Sequence, residues 1–127
     1  MNKTRHWKNL APKIVRQRVI IEGITKDLVM PDQIRKYLNA LAKVTGMEIT
    51  FPPMVYKAHE LGYGGWVRWR TSGCVFYSYS MDSPLPTKNP FFTVDCYTCK
   101  PFDVKKAAEF TRTFFNAIEL VWKEVGV

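Results

Sequence analysis

Between Trp66 and Tyr97 the sequence passes through three β-like segments with no helical period among them, which constrains the sheet this chain can build. Trp66-Val67-Arg68-Trp69-Arg70 alternates, with Trp66, Arg68 and Arg70 on one face and Val67 and Trp69 on the other. Cys74 to Ser80 and Phe91 to Tyr97 read as two further strands. The connection between these two, Ser83 to Pro90 (SPLPTKNP), is a proline-rich surface loop and not a helical crossover. A hairpin of this kind pairs its strands antiparallel. The head of one strand, Thr71-Ser72-Gly73, then lies beside the tail of the next, Cys96-Tyr97-Thr98-Cys99. A hydroxyl and a thiol would share one edge of a sheet.

The rest of the chain supplies few helices. Gln17 to Ile24 (QRVIIEGI) is a β-branched run typical of a buried strand. Glu22 interrupts it, either at an exposed edge or as a site residue. Met30-Pro31-Asp32 opens a helix with Ile34, Leu38, Leu41 and Val44 on one stripe, and Gly46 stops it. Met47 to Phe51 is a strand broken by Pro52-Pro53, and Met54 to Ala58 is its continuation or its partner. His59 to Gly65 reads as a turn whose three glycines are free to take positive φ. Asp103 caps a long helix, Val104 to about Glu124, with a stripe of Ala107, Phe110, Phe114, Ile118 and Val121. Two helices are too few to cross over between parallel strands. The expected fold is α+β, a two-layer sandwich of an antiparallel sheet with both helices packed on one face. A single domain spans residues 17–127, preceded by an arm at 1–16.

That arm accounts for much of the charge. Of 19 basic residues six fall within residues 1–21, and none of the 11 acidic ones does. Such an arm meets nucleic acid, an acidic partner or only solvent. Trp66 and Trp69 interleaved with Arg68 and Arg70 fit base stacking, or simply an amphipathic strand with one face under helices. The N-terminus lacks the apolar stretch of a secretory signal, while its acid-poor composition leaves a transit peptide open. No run of about 18 apolar residues predicts a membrane span. Three cysteines, an odd number, argue against a disulfide framework and for a reducing, cytoplasmic setting. Cys96-x-x-Cys99 lacks a second ligand pair, and His6 and His59 are the only histidines, so no metal is expected.

With these elements in order, Arg18 to Ala117 resembles the small prokaryotic S-adenosylmethionine decarboxylases. The matching pieces are Val19-Ile20-Ile21-Glu22, a helix, the Gly62–Gly65 turn and a strand reaching Ser72. Val94-Asp95-Cys96-Tyr97-Thr98-Cys99 follows, against a family pattern V-D-x-[FY]-T-C-G, and then the long helix. The resemblance implies a pyruvoyl enzyme of polyamine (spermidine) biosynthesis, a lyase that makes its own cofactor. A serine hydroxyl attacks the preceding carbonyl, and elimination and hydrolysis cut the chain, leaving a pyruvoyl group. That group binds the substrate amine and takes up the electrons released with CO2. Carried over, Ser72 is the pyruvoyl precursor and Cys99 the proton donor. Cleavage falls between Thr71 and Ser72, giving fragments 1–71 and 72–127. S-adenosylmethionine is the implied ligand and a homodimer the implied assembly.

The chain departs from the family where the reaction occurs. Thr71-Ser72-Gly73 replaces Glu-Ser-His, Lys100 replaces the motif's closing glycine, and Tyr77 stands at a histidine implicated in processing. A serine that assists processing falls on Gly64. The loop aromatic that stacks on adenine falls near Ala58, with Tyr56 or His59 as substitutes and Glu22 as a further substrate-binding candidate. Loss of a positioned acid–base group typically costs about 10²–10⁴-fold in rate. Two alternatives therefore stand beside the decarboxylase. One is a non-cleaving relative that binds ligand or acts as the regulatory partner of a true decarboxylase. The other is a nucleic-acid-binding module that uses the basic arm.

Overall fold

The computed structural model describes residues 4–80 and 88–126; residues 83–87 of the expected loop lie outside them. Eight elements follow in the order β1 (Gln17–Ile24), α1 (Pro31–Thr45), β2 (Ile49–His59), β3 (Gly62–Trp69), β4 (Ser72–Tyr79), β5 (Phe91–Thr98), α2 (Val104–Phe115) and β6 (Glu119–Val125). The strands form one sheet in the order β2-β3-β4-β5-β1-β6, with every neighbouring pair antiparallel. Both helices cover one face, as the shortage of helical crossovers required.

Alternation within the strands decides what is buried. Val19 and Ile21, Val67 and Trp69, Cys74 and Phe76, and Phe92, Val94 and Cys96 all face the helices. They meet Ile34, Leu38 and Leu41 of α1 and Ala107, Ala108 and Phe115 of α2. Tyr37 lies at the centre, its ring 4.7–6.0 Å from those of Phe76, Phe110, Phe114 and Phe115. Its phenol is satisfied by Thr111 Oγ1 at 2.7 Å, which ties the two helices together. Each such large side chain contributes about 1.5–3 kcal/mol by leaving water.

The termini of α1 follow the sequence signals. Pro31 occupies the first turn, the Gln33 side chain accepts the Met30 N–H, and Gly46 ends the helix at φ 74°. Asp103 caps α2 by accepting the Lys106 N–H at 3.0 Å. That helix, however, ends at Phe115 and not near Glu124. Asn116 takes a left-handed conformation, φ 50° and ψ 49°, and its N–H reaches the carbonyls of Arg112 and Thr113. The chain then reverses into β6, which pairs with β1. Ile118 and Val121, expected in the buried helical stripe, are exposed.

Of the two readings of Met54 to Ala58, continuation is the one found: β2 runs through Pro52-Pro53, with register shifts against β3 where the prolines cannot donate. One further expectation changes. The glycine-rich stretch is a turn only at Glu60-Leu61, and Gly62, Gly64 and Gly65 are already in β3 without positive φ. A Cβ on Gly65 would sit 2.7 Å from Ile34 Cγ2. Glycine there lets α1 approach the sheet.

Candidate active site

The antiparallel β4–β5 pairing puts Ser72 directly opposite Thr98, so the expected edge is formed. β3 and β4 are joined by a two-residue turn, Arg70-Thr71. Two-residue hairpins favour positive φ at a central residue. Neither central residue has it here, and Ser72 carries φ 149° instead. For a residue with a Cβ this is sparsely populated backbone, costing about 1–3 kcal/mol. The strain sits at the Ser72 N–Cα bond, next to the Thr71–Ser72 peptide.

The Thr71 carbonyl is engaged from the facing strand. The Cys99 N–H donates to Thr71 O at 3.1 Å, and the Cys99 thiol donates to the same oxygen at 3.4 Å. The Thr71 hydroxyl bonds Thr98 Oγ1 at 2.8 Å. Lys100, where the family writes glycine, extends its ammonium to Gly46 O at 2.8 Å. The thiol-bearing loop is thereby tied to the C-terminus of α1, an end that favours cations. A hydroxyl next to a carbonyl already held by two donors is the arrangement for acyl transfer, since charge developing on that oxygen meets fixed donors.

Cys96 belongs to a different pair. It faces the core and donates to Cys74 Sγ at 3.0 Å, whereas Cys99 is exposed, so Cys96 and Cys99 do not act as a dithiol. Burial first, and the Cys96 thiol second, push the Cys74 pKa well up. Among the described residues no group of three or more potential metal ligands is assembled.

The other candidates lie elsewhere. Glu22 pairs with Thr93, Thr93 with Tyr77, Tyr77 with Gly64, and Gly64 with Tyr56. These residues form one row across the face away from the helices. It lies five residues along β4 from Ser72, about 16 Å at 3.3 Å per residue. Tyr77 and Ser72 therefore do not meet within one chain. Tyr56 is hydrogen-bonded to Tyr77, and that bond, then burial, raises its pKa above the ordinary phenol value. A Cβ on Gly64 would lie 2.6 Å from the Tyr56 ring, so this ring occupies the space of the family's serine side chain. His59 is further off at the β2 end, 5.3 Å from the Tyr79 ring, with its Nδ1 accepting the Leu61 N–H.

The open face beside Ser72 brings Trp66 and Arg68, already placed on one face by alternation, together with Trp7 and Arg18, which no sequence pattern singled out. A groove of about 820 Å³ is bounded by Trp7, Arg18, Trp66, Arg68, Ser72 and Tyr97. Arg18 is held by Asp95 in a two-pronged pair at 2.7 and 2.9 Å. Trp7 reaches this groove from the arm and lies under the Arg16 guanidinium, 5.9 Å away. Strand alternation gave the faces of Trp66 and Arg68, but their nearness to Asp95 and Tyr97 depends on register across three strands. Trp69 is buried and Arg70 is paired with Glu48 at 2.9 Å, so neither is presented as a stacking or phosphate-binding group.

Comparison with known proteins adds the family. The model described as S-adenosylmethionine decarboxylase matches residues 19–126. Among solved structures, the adenosylmethionine decarboxylase from Aquifex aeolicus VF5 superposes with a TM-score of 0.65 at 18% identity. The match covers 88% of this chain and 89% of that one. No curated protein matches by sequence.

Proposed function

This chain belongs to the S-adenosylmethionine decarboxylase family, and on that basis we propose that it cuts itself between Thr71 and Ser72 and decarboxylates S-adenosylmethionine for polyamine synthesis. The observation that carries this reading is the Thr71 carbonyl, held by two donors of Cys99 and followed by a strained serine. Ser72 Oγ attacks that carbonyl, and the Cys99 N–H stabilises the oxygen as it gains charge. Ester formation also relieves the φ constraint at Ser72, because the residue's nitrogen is freed.

The residues present fit a pyruvoyl group at position 72. Its precursor serine is half-buried at the end of a groove, and a thiol lies on the neighbouring strand. That group, once formed, supplies an electron sink for loss of CO2. Cys99 then holds the proton for the substrate α-carbon, as an exposed thiol able to exchange it with water. Trp7, Trp66 and Tyr97 offer ring faces to a purine and to a sulfonium cation, and Arg68 offers a partner for a carboxylate.

A homodimer is part of the same reading. Phe51, Met54, Tyr56, Val75, Tyr97 and Val121 leave an apolar surface on the face that no helix covers. The row containing Gly64 and Tyr77 cannot reach Ser72 of its own chain, so processing help from that row would come from a second copy. The three free thiols favour a reducing, cytoplasmic site. No described helix is long and apolar enough to cross a membrane.

A second reading rests on that same row. Tyr77 and the Tyr56 ring replace the family's histidine and serine together, which suits a non-cleaving relative that binds ligand or regulates a partner. Intact mass under denaturing conditions separates the two. Fragments 1–71 and 72–127, the second blocked by pyruvoyl, establish the enzyme; a single mass near 14.8 kDa supports the non-cleaving relative.

A further inference from the structure

From the geometry around Thr71 we infer that Thr98 is a positioning residue for chain cleavage, its buried hydroxyl holding the Thr71 side chain so that the carbonyl stays on the Cys99 donors. The inference rests on the reading that Thr71–Ser72 is cut. Thr98 is fully buried, yet its hydroxyl is fully used. It bonds Thr71 Oγ1 at 2.8 Å, accepts the Lys100 N–H at 3.1 Å and lies 3.7 Å from Met47 Sδ. Thr71 Oγ1 lies 3.6 Å from the same sulfur. Two hydroxyl protons and a shared sulfur acceptor satisfy the cluster in either direction, with Thr98 donating to Thr71 or Thr71 to Thr98.

This cluster adds a second restraint to a turn residue. Thr71 lies in a two-residue turn, its carbonyl held by the Cys99 donors and its side chain by this cluster. Its carbonyl must be attacked by the hydroxyl of the next residue while its oxygen remains on the Cys99 N–H. In that step the bond from Ser72 Oγ to the Thr71 carbonyl carbon forms and the Thr71–Ser72 amide C–N bond breaks. The hydroxyl proton ends on the freed Ser72 nitrogen. An error of about 1 Å in such an approach can cost about 10²-fold. With its side chain fixed by Thr98 and its carbonyl by Cys99, Thr71 is held at two points. The family's glutamate is absent at position 71, and the threonine found there has the length to meet Thr98.

The test compares full-length wild type, Thr98→Val, Thr98→Ser and Thr111→Val by denaturing intact mass, with and without neutral hydroxylamine. Hydroxylamine captures the ester, leaving a hydroxamate on Thr71 and a free amine on Ser72. Thr111 is the matched control, equally buried and carrying the hydroxyl bond to Tyr37. The expected result is wild-type cleavage at 71/72, slowed about tenfold or more in Thr98→Val and close to normal in Thr98→Ser and Thr111→Val. Cleavage of Thr98→Val at the wild-type rate overturns the inference, as does equal slowing in Thr111→Val. Wild type that resists both buffer and hydroxylamine removes the cleavage reading itself, a result visible before any variant is compared, and the inference falls with it.

Discussion

The carbonyl oxygen of Thr71 accepts two hydrogen bonds from one residue, Cys99, whose N–H lies at 3.1 Å and whose thiol lies at 3.4 Å. The two donors differ in what mutation can remove. Cys99→Ala deletes the weak S–H donor, worth about 1 kcal/mol or less, and leaves the backbone N–H in place. Cleavage should therefore slow by no more than about fivefold. With Cys99 as the proposed proton donor, turnover should fall by about 10²-fold or more. Fragment masses and CO2 release from the same preparation measure the two effects. An uncut Cys99→Ala chain would mean that the thiol, and not the N–H, governs cleavage.

At Ser72, chemistry and strain can be separated. Ser72→Ala and Ser72→Gly both remove the proposed nucleophile, so both chains should remain whole. Only glycine relieves φ 149°, and Ser72→Gly should exceed Ser72→Ala in stability by about 1 kcal/mol. Thermal midpoints a few degrees apart are expected. Equal midpoints would show that the turn is unstrained, and cleavage of either chain at 71/72 would remove Ser72 as nucleophile.

The three thiols should behave unequally. Cys99 is exposed, while Cys74 and Cys96 are buried against one another. A thiol reagent should label one cysteine in the native chain and all three after denaturation. The pH dependence has a definite sign. The Cys74 pKa is raised in the folded state, so above about pH 8.5 the unfolded chain loses a proton that the native chain keeps. The stability this group contributes is fully present below that pH and is lost as pH rises towards its folded pKa. The slope is about 1.4 kcal/mol per pH unit per proton. Tyr37, raised mainly by burial, adds its own loss above about pH 10. Denaturant unfolding from pH 7 to 10.5 measures this, and Cys74→Ala should flatten the first part of the fall.

The sequence made some of this legible and concealed the rest for local reasons. Pro31 and Gly46 marked both ends of α1, and the strand content around the 83–90 loop was enough to place Ser72 beside the Cys96–Cys99 tail. The end of α2 was hidden because Phe114, Ile118 and Val121 continue the helical spacing past Asn116. A three-glycine cluster reads as a turn, although Gly64 and Gly65 are there to admit the Tyr56 ring and Ile34. The separation of Ser72 from Tyr77 followed from strand rise alone. The row joining Glu22 to Tyr56 required register across five strands, which no local pattern carries.

Asn116 is the one residue that turns α2 into β6, and it can be tested directly. Asparagine tolerates the left-handed conformation, glycine tolerates it better, and alanine does not. Asn116→Ala should cost about 1 kcal/mol, and Asn116→Gly should be neutral or slightly stabilising. If the helix instead ran on to Glu124, alanine would stabilise it and glycine would weaken it. Denaturant midpoints for the two variants therefore decide between the two chain paths.

The Tyr56–Gly64–Tyr77 row makes a prediction about restoring what the chain lacks. Gly64→Ser alone should destabilise, because its Cβ would enter the Tyr56 ring at 2.6 Å. A cost of about 1–3 kcal/mol is expected, largely relieved when Tyr56→Ala opens the space. Tyr77→His places an imidazole, which can act as a base near pH 7, where a phenol now stands. Together, Tyr56→Ala, Gly64→Ser and Tyr77→His should speed cleavage by about 10²-fold or more. Because this row lies about 16 Å from Ser72 of the same chain, the acceleration should depend on protein concentration through dimer formation. Mixing an uncleavable Ser72→Ala chain that carries the three changes with an otherwise wild-type chain isolates the contribution between copies. Faster cleavage of the second chain would place these groups across an interface; unchanged cleavage would confine any help to one chain and remove the dimer from the processing step.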